Sequence, residues 1–291
     1  MYSGLLVRID LSVRIRSMTE SDLDFAINLA NQEHWDYDFK DVRRLQLLFP
    51  KGCFVAEWAG VEGGWIVACT YGCLMWISSL VVVNRLRGKG IGAALVDHAV
   101  KYARDLGART VGLYSYDQSV GFYEKMGFKR DSVFEYVEGV GRETCTSSTA
   151  EQVEDLKEVI AFDHRYFPGD RTSLLKLLHK ESPSLLFKSG ETEISGYIAG
   201  TSFSDNFALI GPWVCEAKRV NVAQQLFVSE LEQVKSNRIG LTIPSQNLDV
   251  HRIVEKYGFQ VKRRVLPMFS GAAEDLPSVG SIYAAAGLDI G

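Results

Sequence analysis

The residues best equipped for chemistry lie between positions 80 and 93, Leu80-Val-Val-Val-Asn-Arg-Leu-Arg-Gly-Lys-Gly-Ile-Gly-Ala93. An apolar run stops at Asn84, glycines alternate at 88, 90 and 92, and a helical pattern follows. Glycines between a strand and a helix let successive backbone N–H groups turn toward one point. The helix N-terminus adds about half a positive charge there. Phosphate oxygens suit such a place, and Arg87 and Lys89 would add charge at its mouth. A glycine-rich turn with no ligand is the plain alternative. A triphosphate loop needs Ser or Thr directly after its lysine, and none follows Lys89, so that motif fails. Gly88-Lys-Gly-Ile-Gly-Ala93 formally meets the dinucleotide fingerprint. Asn84 to Arg87 separate it from the strand, however, and the acid Asp117 comes late for a ribose contact. A third pyrophosphate pattern, Arg/Gln-x-x-Gly-x-Gly/Ala, is matched by Arg87 to Gly92 without a gap.

The elements that must position this stretch read as follows. Val13–Arg16 is a strand, then a helix runs from about Ser21 to Asn31. Cys53–Trp58, Trp65–Tyr71 and Leu74–Val83 are consecutive strands, the last an unbroken apolar run. From Gly92 to Leu106 a helix presents Ile91, Leu95, Ala99, Ala103 and Leu106 on one face, with Gly107 as its stop. Thr110–Ser115 returns as a strand, and Ser119–Met126 is a short helix ended by Gly127. This order indicates an α/β architecture, α+β with a mixed sheet.

The chain also repeats itself. Glu124-Lys-Met-Gly-Phe-Lys129 and Glu255-Lys-Tyr-Gly-Phe-Gln260 are 131 residues apart. The same offset carries Leu95 onto Leu226 and Cys53-Phe-Val-Ala onto Ser184-Leu-Leu-Phe. Thr19-Glu-Ser-Asp-Leu and Thr149-Ala-Glu-Gln-Val, two helix-start signals, match at 130. Several coincidences in register argue for two copies of one domain. The expected boundaries are 1–140 and 146–272, with a tail over 273–291 and a linker at Gly139–Ser148.

Bulk properties bound the rest. The 291 residues carry a net charge of -4, which gives no case for nucleic-acid or membrane partners. No apolar run approaches the roughly 20 residues of a membrane span, and Met1-Tyr-Ser-Gly-Leu-Leu-Val-Arg8 lacks a basic segment before an apolar core. Five cysteines, at 53, 69, 73, 145 and 215, form no metal-like array; Cys69 and Cys73 read as buried thiols. No metal is expected, and a reducing, cytoplasmic setting fits.

Arg87 to Ala93, preceded by Leu80-Val-Val and followed by Phe122-Tyr-Glu-Lys-Met-Gly-Phe128, resembles the GNAT superfamily of acetyl-CoA-dependent N-acetyltransferases. Phe162-Asp-His-Arg-Tyr-Phe-Pro-Gly-Asp-Arg171 and the tail Ala286-Gly-Leu-Asp-Ile-Gly291 resemble the companion domain of two-domain GNAT proteins. The resemblance implies two tandem GNAT-like domains and acetyl-CoA as acyl donor. Its pyrophosphate would rest on the N–H groups of Gly88, Lys89, Gly90, Ile91, Gly92 and Ala93, and its pantetheine arm would pair with the backbone of Leu80, Val81 and Val82. An N–H near Val82 would face the oxyanion, and Tyr123 stands at the general-acid position. Glu33, His34, Trp35 and Asp36 follow the first helix, where the fold places acceptor-binding groups; as plain residues they are a solvated loop. Trp35, Trp76 and Tyr114 read as core or as acceptor-pocket walls. Asn84 departs from a frequent proline, and Tyr116 from a cofactor-holding asparagine.

At the cradle position the second copy has Lys218-Arg-Val-Asn-Val-Ala223, without glycine, and Tyr123 maps onto Val254. The second copy therefore reads as a partner that has kept the fold and lost the chemistry. Asp163, His164, Asp170 and Arg171 sit in the stretch that resembles the companion-domain motif; Asp170 followed by Arg171 reads as a helix cap and a structural ion pair, or as groups that reach the acceptor. Ser281–Gly287 is an apolar segment expected to pack back on a domain. The implied activity is transfer of an acetyl group to a primary amine by direct attack in a ternary complex. A non-catalytic acyl-CoA sensor is the alternative.

Overall fold

The computed structural model of the protein describes residues 12–141, 148–190, 193–204, 206–271 and 280–291. The linker centre, Cys145 and the start of the tail lie outside the described residues, as does the N-terminal octapeptide. Contacts divide the chain into two units. One joins the chain up to Thr70 with Ile77–Leu106, and the other joins Tyr71–Trp76 with Gly107–Gly291.

The first unit is an antiparallel meander with helices around it. Strand β1 (Val13–Ser17) is followed by helices α1 (Leu23–Gln32) and α2 (Phe39–Leu48), then by β2 (Cys53–Trp58), β3 (Val61–Tyr71) and β4 (Leu74–Val82). β1 pairs with β2 from Val13↔Trp58 to Ser17↔Phe54, and β2 pairs with β3 from Cys53↔Val67 to Trp58↔Val61. β4 passes so close to β3 that a Cβ on Gly64 would lie 2.6 Å from the Val81 carbonyl oxygen. Only glycine fits there without displacement.

Helix α1 buries Leu23, Ala26, Leu29 and Ala30, at the spacing of one helical face. Helix α2 was not legible in the sequence. Val42 and Leu45 are buried while Phe39 and Leu47 are exposed, so the apolar pattern extends beyond the buried stripe. Its start is nevertheless well capped. The Asp38 carboxylate accepts the N–H groups of Lys40 and Asp41 at 2.7 and 3.0 Å, and Asp41 accepts that of Asp38 at 2.8 Å. Helix α3 (Ile91–Asp105) buries Ile91, Leu95, Val96, Ala99 and Ala103. The expected last position of that stripe is a correction. Leu106 is the C-cap and is 55% exposed, because the helix has already ended.

The second unit holds β5 (Thr110–Ser115), α4 (Val120–Lys125), β6 (Lys129–Arg130), β7 (Phe134–Gly139) and β8 (Glu151–Gln152). After them come α5 (Lys157–Tyr166), α6 (Thr172–Glu181), β9 (Leu186–Ser189), β10 (Gly196–Ser204), β11 (Phe207–Cys215) and α7 (Val220–Gln233). The chain closes with β12 (Arg238–Pro244), α8 (Leu248–Lys256), β13 (Gln260–Gly271) and β14 (Ile282–Ala284). Sheet order within this unit is β5-β13-β7-β12-β11-β10-β9-β8, with β14 on β11 and β6 on β13. β11 and β12 are parallel while the other recorded pairs are antiparallel, so the sheet is mixed. The core under α7 and α8 centres on Trp213, stacked on Phe227 at 5.1 Å and packed with Tyr283 at 5.0 Å.

The order of these strands shows that the two copies exchange their last strands. β13 closes the second copy yet pairs with β5 of the first, from Leu266↔Ser115 to Gly271↔Thr110. β7 closes the first copy's run and pairs with β12 of the second, from Phe134↔Pro244 to Gly139↔Ile239. The offset of 131 makes the exchange reciprocal. Val137↔Val261 has its mirror in Arg130↔Met268, and Glu138↔Gln260 in Lys129↔Phe269. Phe134↔Val265 pairs two equivalent positions. Each copy thus completes the other's sheet.

One repeat signal needs correction. No helix begins at Thr149; Glu151–Gln152 pairs with Phe187 and Lys188, and α5 starts only at Lys157. Thr149 instead uses its hydroxyl on the Gln225 side chain, 2.8 Å away, which removes its capping role. The apolar tail packs back as β14, with Trp213↔Ala284 and Val214↔Ile282. Cys53, Cys69 and Cys215 are buried thiols, whereas Cys73 is half-buried and donates to the Pro168 carbonyl at 2.8 Å. Among the described residues no helix is long and apolar enough to cross a membrane.

Candidate functional site

Gly88 and Gly90 adopt left-handed conformations, φ +77° and +83°. A side chain there would meet no neighbouring atom, so the backbone turn and not crowding demands glycine. Gly90 is the N-cap of α3 and offers no side-chain cap. The first bond of the helix runs from the Ala94 N–H to the Gly90 carbonyl at 3.0 Å. The N–H groups of Ile91, Gly92 and Ala93 therefore have no carbonyl one turn earlier in the helix, which is the standard situation of a first turn. Lys89 rests 5.6 Å over the Trp58 ring.

Arg87 does more than add charge. Its Nε donates to the Val82 carbonyl at 3.1 Å, and its Nη2 pairs with the Glu33 carboxylate. One side chain thus joins the end of β4, the turn before the glycines and the loop after α1. Glu33 is engaged by that ion pair. His34 and Asp36 are both left-handed, with φ +60° and +55°, which side-chain-bearing residues adopt at a cost. Asn31 holds the loop in that shape. Its Oδ1 accepts the Tyr37 N–H at 2.7 Å, and its Nδ2 donates to the Tyr37 carbonyl at 2.8 Å. Trp35 is half-buried beside Tyr37, ring centroids 5.8 Å apart.

Within β4, Leu80 and Val82 are half-buried and Val81 is buried. The strand is not regular there. Ser79 is left-handed at φ +52°, its hydroxyl lies 3.0 Å from that of Ser78, and the Tyr37 hydroxyl is 3.5 Å away. A left-handed residue breaks the alternation of a strand and re-aims the backbone after it. Sequence reasoning missed Asn31, Tyr37 and Ser79. The available signal was the pair of serines in an otherwise apolar strand.

In the second unit, Tyr123 is buried on α4 between Phe122 and Phe128, at ring distances of 5.0 and 6.0 Å. Burial pushes its hydroxyl up to about 12. Among the described residues that hydroxyl has no hydrogen-bond partner, yet it is not one of the fully enclosed orphans. The second copy differs at both points. Its helix α7 begins at Val220, two residues earlier than α3 in the shared register, and Arg219 and Asn221 replace the left-handed glycines. Lys218 alone is left-handed there, at φ +69°. Val254, opposite Tyr123, is a buried core residue of α8.

Asp170 accepts the Thr172 N–H at 2.8 Å just ahead of α6, and it also meets His164 at 3.3 Å. Arg171 and Asp163 form a buried pair with Nε to Oδ2 at 3.1 Å and Nη2 to Oδ1 at 2.5 Å. The Tyr197 hydroxyl donates to Asp163 at 2.6 Å. Trp76 and Tyr114 meet at 4.7 Å and line a partly open pocket together with Phe134, Phe167, Phe269 and Arg171.

Two family profiles match the chain. The acetyltransferase (GNAT) family covers residues 16–128, and an acetyltransferase (GNAT) domain covers residues 159–284. The chain belongs to the GNAT acetyltransferases, with two tandem GNAT-type domains, and acetyl transfer is the general chemistry of that family. An uncharacterized N-acetyltransferase of Methanocaldococcus jannaschii is 30% identical over 143 residues, which is 41% of this chain and 62% of that protein. The match thus spans less than two thirds of that relative's length. A candidate acetyltransferase of Pyrococcus horikoshii has the same fold over 100% of this chain and 99% of its own, with TM-score 0.79 and 17% identity. A GCN5-related N-acetyltransferase from Sphaerobacter thermophilus covers 89% and 95%, with TM-score 0.67 and 18% identity. A tandem GNAT protein from the clavulanic acid biosynthesis pathway covers 92% and 100%, with TM-score 0.64 and 14% identity.

Proposed function

We propose that the protein transfers an acetyl group from acetyl-CoA to a primary amine by direct attack within a ternary complex. The observation that carries this reading is the left-handed pair Gly88 and Gly90 ahead of the uncapped first turn of α3. An uncapped helix start with no side chain in the way suits a pyrophosphate, which accepts several N–H bonds and gains from the helix dipole. Gly88 to Ala93 would hold that group, and Leu80 to Val82 would offer main-chain groups to the pantetheine arm.

The chemistry balances as follows. The neutral amine nitrogen attacks the thioester carbonyl carbon, and the C–N bond forms as the carbonyl electrons move to oxygen. A main-chain N–H near Val82 faces that oxyanion; such preorganised donors stabilise developing charge without reorganising. The C–S bond then breaks, and Tyr123 donates its proton to the leaving sulfur. The proton lost by the nitrogen passes to the loop that holds Glu33, His34 and Asp36, directly or through water, and solvent returns one to the Tyr123 phenolate. With Glu33 engaged by Arg87, its role is to fix the loop, which leaves Asp36 and His34 as the remaining proton acceptors.

Release of free thiol from acetyl-CoA in the presence of a mixed amine library tests the reading. Amine-dependent release is expected. Saturable acetyl-CoA binding without any release would identify a sensor instead of a transferase. Replacing Tyr123 by Phe should lower turnover by about 10²–10⁴-fold, roughly 3–5 kcal/mol of barrier, with the acetyl-CoA KM little changed. An unchanged chemical step would remove Tyr123 from the mechanism.

A further inference from the structure

The loop after α1 is a strained span between two anchors, and every residue of it lies in the first unit. Four of its N–H groups are bonded. Ala30 accepts those of Glu33 and Trp35 at 2.9 and 3.4 Å, and the Asn31 carbonyl accepts that of His34 at 3.1 Å. The Asn31 side chain accepts that of Tyr37 at 2.7 Å. Among these bonds His34 and Asp36 take left-handed backbones, a cost that persists only where the surroundings enforce it. At one end the Tyr37 hydroxyl lies 3.5 Å from that of Ser79, in the irregular part of β4. At the other end Glu33 reaches Arg87.

Arg87 is the joint of this span. Its N–H donates to the Asn84 carbonyl at 3.2 Å, which fixes where its side chain starts. Nε holds the Val82 carbonyl and Nη2 holds Glu33, whereas Nη1 has no partner among the described residues. A guanidinium is planar and its donors are fixed relative to one another, so a group bound at Nη1 also restrains Nε and Nη2. The ion pair is open to solvent, with Arg87 49% and Glu33 31% exposed. Such a pair holds a loop weakly until something else restrains the guanidinium. Gly88, the first left-handed glycine of the turn, is the next residue along the chain.

We infer that Glu33 is a positioning residue which, through Arg87, ties the shape of the loop carrying His34 and Asp36 to occupancy of the glycine turn by a diphosphate. The inference rests on reading that turn as a diphosphate site; it does not need the acyl transfer. A diphosphate that accepts from Nη1 stops the fork from turning, and the Glu33 carboxylate is then held against a fixed partner. The loop's proton acceptors are set in place when the donor is bound and relax when it leaves. The coupling is reciprocal, so a closed loop also favours the diphosphate. A merely structural pair would brace the loop equally in both states.

Amide hydrogen exchange across residues 33–37 of the full chain, with and without saturating coenzyme A, tests the coupling. The bonded N–H groups exchange when the loop opens, so their rate reports its closure. Coenzyme A should slow that exchange about fivefold or more. In Glu33→Gln the slowing should vanish while calorimetry still shows coenzyme A binding. Arg87→Lys keeps a charge at the mouth of the turn but cannot hold three partners in one plane. It should lose the slowing and keep coenzyme A affinity within about tenfold. Both side chains are open to solvent, so both variants should melt with the wild type. Undiminished slowing in Glu33→Gln, or none in the wild type at saturation, overturns the inference. Failure of coenzyme A to bind removes the diphosphate reading and the coupling with it. Thiol release with the amine library, measured in parallel, separates the readings: slowing without release removes the transferase and leaves the coupling, while release without slowing removes only the coupling.

Discussion

Burial pushes the Tyr123 hydroxyl up to about 12, so the phenol keeps its proton throughout the range in which an alkyl ammonium, near 10.4, loses its own. The neutral form dominates below the raised value. The rate should therefore climb with pH as free amine accumulates and should not fall before about pH 11. A pH–rate profile with a descending limb between 7 and 9 would assign the acid elsewhere. Glu230 on α7 is another residue whose environment decides its charge. Both its oxygens are enclosed without partners, Gly200 lies directly beneath it, and burial raises its carboxyl well above the ordinary range. A raised carboxyl binds its proton more tightly folded than unfolded, so this group's contribution to stability is fullest below about pH 4 and declines as pH rises toward the folded value. Glu230→Met should stabilise the protein by about 1–3 kcal/mol near neutrality and flatten this decline, read from thermal melts across pH. At this scale the sequence was legible for the turn at Gly88 and Gly90, whose alternate glycines form a contiguous motif. Glu230 and Ser79 were not, because one depends on what packs over a helix and the other on a local backbone turn.

Among the elements, the strand–turn–helix from β4 to α3 was readable almost to the residue, since glycine punctuation and helical periodicity coincide there. Helix α2 was not, because its exposed Phe39 and Leu47 blur the stripe that Val42 and Leu45 define. The cradle's dependence on glycine can be measured. Gly90→Ala places a side chain at φ +83°, which costs about 1–2 kcal/mol, and any relaxation of the turn swings the N–H groups away from their target. The variant should raise the acetyl-CoA KM by about tenfold while helix content by circular dichroism stays unchanged. An unchanged KM would mean that the turn is only a turn.

For the whole molecule, the 131-residue repeat announced two copies but not their exchange of strands. Periodicity reports which residues form a strand, whereas its partner is settled by packing among many candidates. The consequence is strong. A fragment ending at residue 140 would leave β5 without β13 and β7 without β12, two long unpaired edges of the kind that aggregate. It should be insoluble alone and recover as a one-to-one complex when co-expressed with a fragment from residue 148 onward, as judged by size-exclusion chromatography. A soluble, monomeric first fragment would contradict the exchange. The degenerate second copy also predicts a stoichiometry, because Arg219 and Asn221 stand where the first copy has its left-handed glycines. The most direct test of the account is calorimetric titration of acetyl-CoA into the intact chain. Saturable binding at one site per chain, weakened in Gly90→Ala, is the expected result; no saturable binding, or two equivalent sites, would contradict it.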